Sequence, residues 1–170
     1  SRGLGDVYKR QDWSQTHPKD EFLVNQEFRL VPEEIVGLDE LSLEDRLQMD
    51  RHQVSWNLSQ FLHGEQGALL VASQLVSCAP TFNAKMYAAS QTFDEARHVE
   101  GFNRYLKEKI GFQYPATTGL KSLMDKILTD ERWDLKFIGM QIIIEGLALA
   151  AFNNMKFILN DGLLKQLLHY

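Results

Sequence analysis

Cysteine is nearly missing from this chain. Cys78 is the only one in 170 residues, which excludes an internal disulfide framework and suits a reducing cytoplasm. Proline is almost as scarce, with four in all, and long apolar-periodic segments lie between them, so the expectation is mostly helix. Positive charge is in deficit: 18 Lys and Arg stand against 23 Asp and Glu, for a net charge of −5. With no basic stripe either, nucleic acid is not expected as a partner. The most apolar run, 137–152, carries Gln141 and Glu145 and is short for a membrane span, so no membrane is expected. No signal-peptide pattern, Gly-rich phosphate loop or Gly-x-Ser-x-Gly elbow is visible.

What is present is the composition of a soluble globular domain, 44% hydrophobic and 24% charged, and long enough to bury one core. Residues 1–11 have neither helical nor strand periodicity and read as an adaptor-like, non-native tail. Residues 12–41 are polar and broken by Pro18 and Pro32, an irregular arm with a short helix or extended piece. From residue 42 to 170 the chain reads as one helical domain. Ser42 and Asp45 have the spacing of a capping start, and the helix they open runs to Cys78, before Ala79-Pro80. Leu58, Phe61, Leu62, Leu69, Ala72 and Leu75 mark its buried stripe. Further helices are expected over 82–109, over a short amphipathic stretch around 120–128, over 131–159, and from Leu163 onward.

Three glutamates on three of these helices stand where a solvated glutamate does not belong. Glu145 is the sole polar residue between Ile142 and Phe152, so no rotation of its helix sends it to a polar face. Glu65 interrupts the stripe of Phe61, Leu62, Ala68, Leu69 and Ala72, with Gly64 and Gly67 on either side. Glu95 is followed three residues later by His98, which stacks carboxylate and imidazole on one helical face. Taken singly, each has an ordinary explanation: an arginine partner or a protonated carboxyl for Glu145, His63 as a partner for Glu65, a chance surface pair for Glu95 and His98. Taken together they point to a cation, because burying unpaired carboxylates costs several kcal/mol each and like charges repel. An oxygen-rich site with one histidine suits iron or manganese better than zinc.

From about Ser42 onward the sequence resembles the ferritin-like di-iron carboxylate superfamily. The nearest branch holds ribonucleotide reductase small subunits and bacterial multicomponent monooxygenase hydroxylases. The resemblance is carried by Glu65 in His-Gly-Glu-Gln-Gly-Ala, by the block Asp94-Glu95-Ala96-Arg97-His98, and by Glu145 in Ile-Ile-Glu-Gly. The thirty residues from Glu65 to Glu95 match the family's usual gap between its first two ligand helices. The resemblance implies an antiparallel ferritin-like bundle with two Fe ions, or one Mn and one Fe. Glu65, Glu95 and His98 would hold one ion, Glu95 would bridge, and Glu145 would serve the second. Asp94, with Arg97, would orient a ligand histidine from the second shell, the alternative being an exposed ion-pair network.

Three departures go with it. The family's second Glu-x-x-His is absent; its glutamate would fall near position 175, so the fourth ligand helix is expected to be truncated and the fragment itself to turn over little. Phe102 stands where radical-bearing reductase subunits have tyrosine, and Leu149 where hydroxylases often have threonine. The implied function is O₂ activation for oxidation or oxygenation of a small organic substrate, with electrons from a reductase or ferredoxin, in a cytoplasmic homodimer. The alternatives are a radical-generating reductase subunit, a non-enzymatic iron-binding or storage protein, and a metal-free helical interaction module.

Overall fold

A computed structural model describes residues 11–28, Gly37 and 40–169; all but the last residue of the adaptor-like tail lies outside them. The order of elements is a 3₁₀ turn at Gln26–Phe28, then α1 Leu43–Cys78, α2 Phe82–Tyr105, α3 Thr118–Thr129, α4 Trp133–Ile158 and α5 Gly162–Leu167. Among the described residues there is no strand, only an isolated bridge between Val24 and Leu159, so the all-α expectation holds.

Each boundary has a local cause. Ser42 Oγ accepts from Asp45 N at 3.1 Å and donates to the Asp45 carboxylate at 2.6 Å, which starts α1. Pro80 holds Ala79 extended and ends it. Lys85 Nζ then reaches back from α2 to the α1 carbonyls of Val76 (3.2 Å) and Ser77, satisfying the last carbonyls of the helix with a cation. Lys136 does the same for α3: its buried ammonium donates to Ile127 O at 2.8 Å, Leu128 O at 3.0 Å and Gln74 Oε1 at 2.6 Å. With only three residues between them, α1 and α2 form an antiparallel hairpin in which Arg51 reaches Lys109 O, Glu65 faces His98 and Val76 faces Lys85.

Past α2 the chain makes a π turn, Leu106–Ile110, closed by Gly111 at φ 94°, a left-handed conformation that glycine adopts without strain. The extended stretch 111–117 then runs back along α1. Ser55, Ser59, Gln60 and His63 satisfy its backbone, through Phe112 O, Tyr114 N, Pro115 O with Thr117 N, and Tyr114 O. This explains two fully buried serines on α1. It also removes His63 as a partner for Glu65, since its ring nitrogens face Gln66 and Tyr114.

The arm is more structural than its composition suggests. Leu23 and Val24 are core residues, and their backbone N–H groups donate to Asp50 Oδ2 (2.6 Å) and Oδ1 (3.3 Å) on α1. Asn25 N to Ile158 O (2.8 Å) and Asn160 N to Leu23 O (2.7 Å) tie the same residues to the end of α4. Full burial of one leucine side chain is worth about 1.5–3 kcal/mol, so the arm is held by more than its hydrogen bonds.

The expected helix over 131–159 is observed as Trp133–Ile158, with a difference: Ile138–Ile144 is π-helical, immediately before Glu145. By length and composition α4 is the one described helix that could cross a membrane. Its polar side chains Lys136 and Gln141 bond to other helices, while Ile142, Ile143, Leu147 and Leu149 are exposed. The interior position that hydropathy predicts for this segment is therefore realised on one face only.

Two apolar clusters make the core. One joins Leu58, Leu62, Phe102, Phe152 and α5 with the arm; the other joins Ala68, Val71, Ala88, Met124 and Met140. Glu65 falls between Leu62 and Ala68 on α1, and Glu95 between Ala88 and Phe102 on α2. The carboxylates sit at the seam.

Candidate metal centre

The α1–α2 hairpin brings three of the expected ligands together. His98 Nδ1 lies 3.1 Å from Glu65 Oε2 and 3.2 Å from Glu95 Oε2. Glu65 is 6% exposed and Glu95 3%, while the histidine is partly open. One donor atom from each of the three lies within 4.8 Å of the others. Neighbouring donors on one ion with bonds of about 2.1 Å stand about 3 Å apart, so this spacing is that of a shared ligand set.

The electrostatics of the trio follow from burial. Desolvation pushes the Glu65 carboxyl up to about 8, and its hydrogen bond to Glu95 adds to the shift against the opposing effect of His98. Burial would raise Glu95 as well, but hydrogen bonds from His98, Glu65 and Gln91 outweigh it and hold that carboxylate below its ordinary range. Burial would lower His98, yet its two carboxylate partners carry it up to about 9. At neutral pH the trio is thus a neutral carboxyl, a carboxylate and an imidazolium, with no net charge. A divalent cation displacing the two protons leaves that balance unchanged, which is the sense in which these residues fit a metal ion.

Glu145 is not one of the three. It is half-buried across a cavity of about 260 Å³ whose lining it shares with Glu65. Burial and the Glu95 charge raise its carboxyl to about 7, with His98 opposing, so it lies within electrostatic reach of the trio. The cavity opens between α1, α3 and α4, with Gly64, Ala68, Leu120, Ala148 and Phe152 among its walls. Gln60 and Thr117 also line it, but their polar atoms are engaged with the 111–117 backbone and the start of α3. Phe61 and Phe152 from its lining form a ring cluster with Phe102 behind them, with centroids 4.7–6.2 Å apart.

No family model, no curated protein and no solved structure matches the chain.

Asp94 and Arg97 pair with each other at 3.1 Å on α2, with the Arg97 guanidinium 5.9 Å from the Phe93 ring centroid. Tyr105 is an ordinary core residue, and Tyr87 is exposed. Leu149 is exposed. Two polar residues next to the site escape a reading of the sequence alone. Gln91 Nε2 donates to Glu95 Oε1 at 3.0 Å, and Gln141 Nε2 donates to Gln91 Oε1. Their signal was in the spacing: each stands four residues before an expected ligand glutamate.

Proposed function

We propose that the chain is a ferritin-like di-iron (or Mn/Fe) carboxylate oxidoreductase that activates O₂ against a small organic substrate. The observation that carries this reading is the close group of Glu65, Glu95 and His98, two buried carboxyl groups and a partly open imidazole, at the seam of the core. Glu65, Glu95 and His98 would hold one ion, with Glu95 and Glu145 turned to a second. Bound there, iron would supply the redox couple that reduces O₂.

The chain's own residues account for the rest. Phe61 and Phe152, backed by Phe102, keep water from the cavity, and apolar walls favour an apolar substrate. In the metal-free chain burial and the Glu95 charge raise the Glu145 carboxyl to about 7, so it would give up its proton as a second ion binds beside the cavity. Phe102 at the position of the reductase tyrosine favours substrate oxidation over radical storage. The reading requires an electron-donating reductase or ferredoxin as partner.

The test is O₂ uptake after anaerobic loading with Fe²⁺. Slow uptake, still faster than for free Fe²⁺ and rising with near-ultraviolet absorbance, is expected for the unaltered chain, because the resembled family's second Glu-x-x-His is not among its residues. It should vanish in Glu65→Gln, Glu95→Gln double variants. Uptake no faster than in buffer would end the proposal.

A further inference from the structure

We propose that Gln141 and Gln91 are positioning residues: a polarised amide chain running from the π stretch of α4 to Glu95 that holds this carboxylate in its ligating orientation. The inference rests on the reading of Glu95 as a metal ligand.

The direction of the chain is fixed by chemistry. An ionised Glu95 only accepts hydrogen bonds, so the group 3.0 Å from its Oε1 must be the Gln91 amide NH₂. That turns the Gln91 carbonyl toward α4, and Gln141 must present its own NH₂ to meet it. Glu95 Oε2 is meanwhile engaged by His98 at 3.2 Å. Each carboxylate oxygen thus has a separate donor, and rotating the group breaks both bonds. Gln91 stands one helical turn before Glu95 on the same face of α2. Gln141 comes from another helix, so the bond between the amides ties α4 to α2 at the level of the ligands. Two half-buried amides packed only for shape would be served as well by leucines. Ending on a charge is what gives an amide chain its strength and its polarity.

The test is Mn²⁺ binding to the full chain, read from the loss of the free-ion paramagnetic resonance signal, beside the melting temperature of the metal-free protein. Gln91→Leu removes a donor to the ligand and should weaken binding by about 10–100-fold, the usual loss for an outer partner. Gln141→Leu leaves the Gln91–Glu95 bond but frees it to rotate, so the loss should be nearer about tenfold. Gln141→Glu keeps the shape yet sets an acceptor against the Gln91 carbonyl. That forces the Gln91 amide round and should weaken binding at least as much as Gln91→Leu. An isosteric change that does more harm than an apolar one is a pattern that packing alone would not produce.

Binding by all three variants within twofold of the unaltered chain would overturn the amide chain alone. An unaltered chain that binds no Mn²⁺ would overturn both it and the metal centre. Where a variant does not fold, hydrogen exchange of the Gln91 and Gln141 side-chain amides in the unaltered protein decides. Slow exchange is expected, and the rate of a free glutamine amide contradicts the proposal.

Discussion

The site has two walls of different construction. Glu65, Glu95 and His98 stand on a helical hairpin whose partners face one another along its whole length, and the two carboxylates are all but removed from solvent. Glu145 stands on α4, half-buried, between a π-helical stretch and a row of outward-facing residues in which Leu147 is 66% exposed. By hydropathy the order is the reverse: 137–152 is the most apolar stretch of the chain, while α1 around Glu65 is mixed. The comparison teaches that a carboxylate is buried by what packs against its helix, not by the greasiness of its own segment. One wall is organised in advance; the other is held to it by few links, of which the Gln141–Gln91 bond is one.

The largest expected effect separates the walls directly. Glu95→Ala should weaken divalent metal binding by more than about 100-fold, beyond the cost of losing an outer partner, and Glu145→Ala by only about tenfold. Equal losses, measured by equilibrium dialysis with Mn²⁺, would make the two walls equivalent. The next effect is a pH dependence of the metal-free protein. Glu65 is raised in the folded state, so its contribution is complete below 4.5, its ordinary value, and gone above about 8. The contribution of His98 is complete below 6.5 and gone above about 9. Glu95 is lowered, so its contribution is lost only on acidification and leaves this window untouched. Stability should therefore fall most steeply between pH 6.5 and 8, with Glu145, raised to about 7, adding at the lower end. The expected fall is roughly 10 °C in melting temperature, and metal loading should flatten the curve. A metal-free chain that becomes more stable across that interval would refute the proton assignment.

Smaller effects probe what stiffens the hairpin. Asp50→Ala strands the buried N–H groups of Leu23 and Val24 and should cost about 1–3 kcal/mol in urea unfolding. Asp50→Asn should cost less, since its amide oxygen can keep one of the two bonds. The glycines flanking Glu65 should answer in opposite directions. At Gly64 an added methyl meets nothing within 4 Å, so Gly64→Ala should stabilise by about 0.5–1 kcal/mol. At Gly67 it would stand 2.0 Å from Met124 Sδ, so Gly67→Ala should destabilise by about 1–3 kcal/mol unless Met124 moves aside.

The legible features are those with a local signature. Glu65 and Glu95 could be picked out because a carboxylate breaks an apolar stripe, and the helix boundaries because Ser42, Pro80 and Gly111 act within a turn. Glu145 was legible as an oddity but misjudged in depth, since one face of α4 stays open and no periodicity reports that. Ser55, Ser59, Gln60 and His63 carry no pattern of their own; their role depends on a stretch some fifty residues later folding back on them. Leu23 and Val24 belong to a run of only three apolar residues, Phe22 to Val24, too short to make a pattern. The π stretch leaves no mark in a row of isoleucines.

The central claim is that bound metal takes the place of two protons in a buried, neutral group. Calorimetric titration of the metal-free chain with Mn²⁺ at pH 7, in two buffers of different ionisation enthalpy, tests it most directly. Saturable binding with about two protons released per ion is the expected result, because folded Glu65 and His98 both titrate above that pH. Binding without proton release, or no saturable binding at all, would contradict it.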